Sequence, residues 1–147
     1  MNENIKTYLT QDHRDCDEKF ASMESAVASE NWSNAKKEFE SFSNDLLTHF
    51  DMEEKVMFLA FENKTGMTAG PTQVMRMEHE QMRNVVNQMK NDVETKDKNH
   101  FFGLSESLMM LMQQHNMKEE QMLYAMADAH LGQDSFSIVE QMKELKK

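Results

Sequence analysis

Hydrophobic residues recur at intervals of three and four along four long stretches of the chain, with polar residues between them. This spacing places the hydrophobic side chains on one face of an α-helix. The positions predicted to face inward extend to Val56 and Ala60 in the second stretch and to Met122 and Met126 in the fourth. We therefore predict four helices, each with one buried face, over residues 5–27, 35–60, 75–93 and 101–126.

Short breaks separate the four predicted helices, at residues 30–33, 63–70 and 96–99. The longest break ends at Gly70 and Pro71, and proline is well suited to the first turn of a helix. Short connections place consecutive helices antiparallel. The predicted fold is therefore all-α: an up-down-up-down antiparallel four-helix bundle in a single domain over residues 1–147. Its core bundle covers about 3–131, and a short C-terminal helix covers about 134–147.

The composition narrows the possible functions. One proline and four glycines among 147 residues are too few for the turns of an all-β fold. A net charge of −10 argues against nucleic acid or a membrane as the partner. The single cysteine excludes an internal disulfide, and the sequence shows neither a secretory leader nor an apolar run of about 18 residues that could span a membrane. We therefore expect a cytoplasmic protein, monomeric or weakly self-associating.

Six polar residues interrupt the hydrophobic stripes at positions that should face the core: His13, His49, Glu53, His79, His115 and Glu119. A buried carboxylate without a partner is strongly unfavourable, so these residues need a shared explanation. The second and fourth stripes each carry a His and, four residues later, a Glu on the same helical face. The set forms an internal repeat with one constant separation, which leads from His13 to His79, from His49 to His115 and from Glu53 to Glu119.

The six side chains should lie at one level of the bundle. In an antiparallel helix pair, residues equidistant from the connection face one another. With each His–Glu pair represented by its centre, the midpoints between candidate positions on successive helices fall at residues 32, 65 and 98, inside the three breaks. Four imidazoles and two carboxylates are too many ligands for one tetrahedral zinc ion. They suit two metal ions with bridging carboxylates, and nitrogen and oxygen donors favour iron, with manganese or zinc as substitutes. The alternative is a set of hydrogen-bonded core histidines with glutamates that reach solvent.

Several other side chains receive an ordinary structural interpretation. Cys16 is predicted to fill the core, with a redox role as the alternative. The 16 methionines are interpreted as flexible core filler rather than as a copper site. Glu54 and Glu120, which each follow a candidate ligand, are assigned solvated or interhelical roles, with ligation by Glu120 as an alternative. Both tyrosines, Tyr124 among them, lie off the stripes, which disfavours a tyrosyl-radical site.

The spacing of these residues resembles that of the hemerythrin-like (HHE cation-binding) family over residues from about 5 to 130. The family pattern is a His on helix one, HxxxE on helix two, a His on helix three, and a His with a nearby carboxylate on helix four. The stretch GPTQVMRMEHEQMR around His79 is also similar to the family's third helix. Oxygen-carrying hemerythrins have a second His where this chain has Arg83, and an Asp where it has Glu120. The chain is therefore more similar to the four-His, two-Glu branch, which includes iron sensors and the di-iron proteins that repair iron–sulfur clusters.

The resemblance implies a non-haem di-iron centre of two Fe ions, which an oxo or hydroxo group could bridge, with O2 or NO as the small-molecule ligand. It also implies a role in protection from oxidative or nitrosative stress or in repair of iron–sulfur centres. The alternatives are a reversible O2 carrier, an O2 or iron sensor without catalysis, and iron storage. Because the two halves of the repeat supply equal ligand sets, we expect two equivalent metal positions and poorly reversible oxidation by O2. Binding is favoured over multistep catalysis.

Overall fold

The structure is a computed structural model that describes residues 3–147. This part of the chain is all-α and contains no β-strand, which confirms the predicted fold class. Its α-helices are α1 (Ile5–Ala28), α2 (Trp32–Met52), α3 (Phe58–Thr65), α4 (Pro71–Thr95), α5 (Lys98–Lys118), α6 (Tyr124–Leu131) and α7 (Asp134–Glu144). Two π-helical turns, Glu53–Met57 and Glu119–Leu123, join α2 to α3 and α5 to α6 without a break. None of the helices in residues 3–147 combines the length and the apolar character needed to cross a membrane.

Side-chain caps and a glycine set the ends of several helices. Asn4, Asn31 and Asp97 each accept a hydrogen bond from a backbone N–H in the first turn of the next helix, at 2.8, 3.3 and 3.1 Å. These bonds satisfy donors that the start of a helix leaves free. Gly66 follows α3 with a φ of 76°, a left-handed conformation that residues with a side chain rarely adopt. Pro71 begins α4, as the sequence predicts.

Each π-helical turn advances the buried face of its helix by one residue. A π turn holds one residue more than an α turn, so the side chains beyond it are rotated relative to an α-helical continuation. The inward position predicted at Met122 is therefore wrong, because the residue is 63% exposed, whereas Val56, Ala60 and Met126 are partly buried and pack against the core. The hydrophobic residues that are buried at the end of the two turns and in the helices that follow them, α3 and α6, are Met57, Phe58, Phe61, Leu123, Tyr124, Ala127 and Leu131.

Hydrophobic side chains form two clusters, one on each side of the six polar residues along the helices. On α1, Leu9 belongs to one cluster and Phe20 to the other, with His13 between them. Helix α4 shows the same order around His79. Helix α1 packs against α2, α4 packs against α5, and α2 packs against α4. The helices that carry the polar residues therefore meet in the layer between the two clusters.

Helix α7 packs against α1, α6 and the π turn Glu53–Met57. It buries Ile138, Val139 and Met142 in the same cluster as Leu9. Burial of this face accounts for a stable position of the C-terminal helix, because apolar area removed from water is the main driving force for packing. The helix thereby brings the C-terminal residues close to the polar layer.

Candidate metal centre

The six predicted residues converge in one buried layer. They form two overlapping groups that could hold metal ions: a first group of His13, His49, Glu53 and Glu119, and a second group of Glu53, His79, His115 and Glu119. Within each group, one donor atom from every residue lies within 4.8 Å of the others. All six residues are at most 3% exposed. The two histidine rings of the first group are 4.6 Å apart between centroids, and those of the second group are 4.8 Å apart.

The two glutamates lie between the two pairs of histidines. Glu53 Oε1 is 3.5 Å from His49 Nε2 in the first group and 3.0 Å from His79 Nε2 in the second. Glu119 repeats the arrangement, with its two oxygens each 3.1 Å from one histidine of either group. Each carboxylate therefore faces both groups, which is the position of a bridging ligand.

Each of these glutamates is the first residue of a π-helical turn. The backbone N–H of Glu53 still donates to the carbonyl oxygen of His49, four residues earlier, so the helix remains α-helical up to the glutamate. This keeps the histidine and the glutamate on one face. The π turn that follows changes which later residues face the centre. The second half of the chain has the same construction at Glu119, the residue that corresponds to Glu53 in the repeat.

Every histidine of the two groups has a carboxylate on its outer nitrogen. The Nδ1 atoms of His13, His49, His79 and His115 lie 2.7, 2.7, 2.6 and 2.8 Å from carboxylate oxygens of Glu120, Asp12, Glu54 and Glu78, respectively. A proton on Nδ1 donates to the carboxylate and leaves the Nε2 lone pair directed at the centre. This orientation is typical of metal-binding histidines.

Two of these four outer carboxylates, Asp12 and Glu78, were not found from the sequence. Each directly precedes a candidate histidine, and the two occupy corresponding positions of the repeat, so the sequence contained a signal for them. Glu54 and Glu120 make the interhelical contacts that the sequence suggested as one of their roles. Glu120 contacts the outer nitrogen of His13, Nδ1, whereas Glu119 contacts its inner nitrogen, Nε2.

A cation accompanies each outer carboxylate. The pairs are Arg14 with Glu120, Arg83 with Glu54, Lys118 with Glu78 and Lys146 with Asp12, at 2.8, 2.9, 2.5 and 2.5 Å. Burial alone raises the pKa of Asp12 and Glu54, but hydrogen bonds from the histidine and the cation outweigh it and lower both pKa values to about 2. These carboxylates are therefore ionised near neutral pH.

In the metal-free protein, neighbouring carboxylates favour the protonated forms of His49 and His79. Burial alone lowers the pKa of a histidine, but the neighbouring carboxylates raise the pKa of His49 to about 10 and that of His79 to about 11. Burial opposes the ionisation of Glu119, yet His115 and the other imidazoles hold its pKa well below its usual value. Metal binding in this layer must therefore displace protons from His49 and His79.

In the part of the chain that the structure describes, four buried polar atoms of the second group make no hydrogen bond: Glu53 Oε1, His79 Nε2, His115 Nε2 and Glu119 Oε2. The closest pairs approach to 3.0 and 3.1 Å without the angles of a hydrogen bond. Buried polar atoms are nearly always hydrogen-bonded, so four atoms that converge on one point without hydrogen-bond geometry suit a common ligand. Two imidazole nitrogens and two carboxylate oxygens fit a metal cation.

Tyr124 lies inside the first group, although the stripe pattern placed it elsewhere. Its side chain is fully buried, and its hydroxyl oxygen is 2.6 Å from Glu53 Oε2, 3.0 Å from Glu119 Oε1 and 3.1 Å from His13 Nε2. The sequence-based position is wrong because the π turn Glu119–Leu123 rotates the tyrosine inward. Burial, together with the two glutamates, raises the pKa of Tyr124 well above its usual value. The phenol therefore keeps its proton in the metal-free protein.

The repeat places Phe58 in the position of the first half that corresponds to Tyr124 in the second. The ring of Phe58 stacks with His79 at 5.8 Å between centroids, and the ring of Tyr124 stacks with His13 at 5.7 Å. A phenyl ring carries no donor atom for a metal. The expectation of two equal halves is therefore wrong in this respect, because only the first group contains a hydroxyl.

The remaining candidate side chains lie outside both groups. Cys16 is buried, and burial raises the pKa of its thiol, so it remains protonated. The interpretation of the methionines as core filler fails for four of them, which are more than half exposed: Met77, Met110, Met117 and Met122. These four do not contribute to the core, whereas Met23, Met52, Met57 and Met82 are fully or almost fully buried.

The sequence profile of the hemerythrin HHE cation-binding domain matches residues 4–127. The chain belongs to this family. The match contains all six predicted residues, and it ends within α6, before α7 begins. Hemerythrin domains bind metal ions, generally iron, in keeping with the two groups of donors. Searches of curated proteins and of solved structures found no match.

Two positions distinguish this hemerythrin domain from the oxygen-carrier pattern. Arg83, which replaces a histidine of the carriers, donates hydrogen bonds to Glu54 at 2.9 and 3.0 Å. It therefore supports the carboxylate that holds His79. Glu120, which replaces an aspartate, contacts the outer nitrogen of His13. Both replacements act on the orientation of a histidine and place no further donor between the two groups.

Proposed function

We propose that the protein holds a non-haem di-iron centre in which Glu53 and Glu119 bridge two Fe ions. Each ion would take the two histidines of one group. The observation that carries this proposal is that two groups of closely spaced donors share the same two glutamates. Six donors exceed the four ligands of a tetrahedral zinc site. Imidazole and carboxylate donors without a thiolate suit iron, with manganese or zinc as substitutes.

The scaffold of this centre is proposed to be an up-down-up-down four-helix bundle within one domain over residues 1–147. The first and third helices of the bundle would be α1 and α4. The second would be α2 continued by α3, and the fourth would be α5 continued by α6, with α7 as the short C-terminal helix. The ring contacts across the connections support this topology: His13 meets His49, and His79 meets His115. Antiparallel helices bring together residues that are equidistant from their connection, as these pairs require.

Aromatic rings enclose the second group and would keep bulk water from it. Phe50 stacks on His79 at 4.1 Å between centroids, and Phe58 stacks with the same histidine at 5.8 Å. The histidine is therefore held by two rings and by the carboxylate of Glu54. Reduced iron, when bound, would supply electrons to a diatomic ligand. The protein's own contribution is to orient the imidazoles and to exclude solvent.

The proposed activity is binding of or reaction with O2 or NO, in protection from oxidative or nitrosative stress or in repair of iron–sulfur centres. The four outer carboxylates support reaction over reversible binding. A carboxylate on Nδ1 raises the basicity of an imidazole ligand, and more basic ligands favour the more highly charged, oxidised ions. The alternative is a reversible O2 carrier or a sensor without catalysis. The protein is proposed to act in the cytoplasm as a monomer or weak homo-oligomer, without nucleic acid or membrane as a partner.

Gas exchange on the iron-loaded protein tests this activity. The protein is loaded with Fe(II) under argon, exposed to O2, returned to argon, and followed by optical and Mössbauer spectroscopy; a second reduced sample receives NO. We expect oxidation that argon does not reverse, and a change in the iron spectrum with NO. Full return of the reduced spectrum over repeated cycles would establish the carrier instead. Glu40→Ala, a change at an exposed side chain of α2, serves as the control.

A further inference from the structure

The hydroxyl oxygen of Tyr124 lies at ligand-to-ligand distance from the first group. Two donors that bind one ion at about 2.1 Å and at right angles are about 3.0 Å apart. The hydroxyl oxygen is 2.6, 3.0, 3.1 and 3.5 Å from donor atoms of Glu53, Glu119, His13 and His49, respectively. These distances scatter around the edge length of a coordination polyhedron. The oxygen therefore lies where a fifth donor to the same ion would lie.

The surroundings of Tyr124 give its hydroxyl no other partner in residues 3–147. All four hydrogen-bond contacts of the hydroxyl are to residues of the first group. The side chain has no exposed surface, and its ring is stacked with His13. Its backbone follows directly on the π turn that begins at Glu119. One local feature of the helix thus fixes a bridging glutamate and directs the tyrosine at the same point.

The second group contains no corresponding oxygen. Phe58 takes the equivalent position, and it contacts His79 through ring stacking alone. Among residues 3–147, the candidate donor atoms that make no hydrogen bond are the Nε2 atoms of both histidines of this second group and one oxygen of each shared glutamate. In the first group, His13 Nε2 and the second oxygen of each glutamate are engaged by the tyrosine. The difference between the two groups therefore follows from one oxygen atom.

We propose that the phenolate of Tyr124 is a fifth protein ligand to the metal ion of the first group and that it makes the two metal positions chemically unequal. This assignment rests on the di-iron centre proposed above. When the bond between the tyrosine oxygen and the metal forms, the O–H bond breaks and the proton is released to solvent. No electron is transferred in this step. The second position has only its two histidines and the shared glutamates, and it keeps more room for a small ligand.

Optical and resonance Raman spectra of the ferric protein test the assignment, because a phenolate bound to Fe(III) gives a visible charge-transfer band and enhanced tyrosine ring vibrations. Tyr124→Phe removes only the hydroxyl. Tyr8→Phe is the matched control, since the Tyr8 hydroxyl contacts Met52 Sδ at 3.6 Å and belongs to neither group. Phe58→Tyr introduces a phenol at the equivalent position of the second group. Iron per chain is measured on every sample, and circular dichroism checks the fold.

We expect the phenolate signals in the unchanged protein and in Tyr8→Phe, and their loss in Tyr124→Phe with two irons still bound. Phe58→Tyr, combined with Tyr124→Phe, should restore them. The assignment is overturned if the unchanged protein binds two irons without these signals, or if Tyr124→Phe retains them. In either case the iron count leaves the di-iron proposal standing. A count below two in the unchanged protein rejects both.

Discussion

Replacement of Asp12 by asparagine should weaken metal binding at the first group. Asp12 Oδ2 lies 2.7 Å from His49 Nδ1, and Oδ1 lies 2.5 Å from Lys146 Nζ, with 4% of the residue exposed. Asparagine keeps the size of the side chain but removes its charge. The imidazole of His49 then loses the anionic acceptor that orients it, and Lys146 loses its partner.

The expected loss is large because the contact is buried. Removal of a carboxylate behind a metal-binding histidine typically lowers metal affinity about 10- to 100-fold, which is about 1.4 to 2.7 kcal/mol. Asp12→Asn should fall toward the upper end of this range, since solvent does not replace the lost interaction. Glu78→Gln, the change at the equivalent residue of the repeat, should fall toward the lower end. The side chain of Glu78 is 20% exposed, and water can take over part of its role.

Competition with a chelator measures these affinities under argon with Fe(II), and circular dichroism verifies the fold of each variant. Asp15→Asn is a suitable control, because its side chain is exposed on α1 and accepts a hydrogen bond from Gln11, outside both groups. The reasoning requires Asp12→Asn to bind iron more weakly than both Glu78→Gln and the control. Equal affinity of Asp12→Asn and the unchanged protein would show that the outer carboxylate does not position His49.

Three further results follow from the same contacts. Lys146→Met should weaken iron binding, but less than Asp12→Asn does, and Lys147→Met is the control. Equal chelator competition curves for Lys146→Met and the unchanged protein would refute a role for Lys146. The pKa values of His49 and His79, about 10 and 11, exceed the roughly 6.5 of an unfolded histidine. The protonated histidines therefore make their full contribution to the stability of the metal-free protein below about pH 6.5, and this contribution is lost as the pH rises through the two higher values. The metal-free protein should melt at a lower temperature at pH 10 than at pH 7. Iron binding near pH 7 should release protons, measured with an indicator dye, and should tighten as the pH rises to 9.

The set of candidate donors could be predicted from the sequence because polar residues on a hydrophobic stripe are conspicuous and because the constant separation of the internal repeat makes them mutually supporting. His13 and Glu119 belong to helices far apart in the chain, yet the position of each could be calculated from the connections between helices. The structure brings these residues together as expected. Periodicity and spacing therefore predicted the composition of the candidate centre.

The π turns and their consequences could not be predicted in the same way. A helical template assumes one constant period, and a π turn adds a residue without any distinctive sequence. The side chains beyond Glu53 and Glu119 were consequently assigned to the wrong face, and Tyr124 was placed outside the centre that it enters. Asp12 was overlooked for a different reason. It adjoins the stripe of α1 and has a counterpart in the repeat, Glu78, but the sequence does not show which histidine it contacts, and the structure identifies His49.

The number of irons per chain tests the central proposal most directly. Protein loaded with Fe(II) under argon and freed of loose metal is measured for iron and for protein concentration, alongside Glu53→Ala, Glu119→Ala and the exposed control Glu40→Ala. We predict two irons per chain in the unchanged protein and in the control, and loss of most of the iron in both other variants, because each removed carboxylate serves both ions. One tightly bound iron per chain, unaffected by either change, would contradict the di-iron centre.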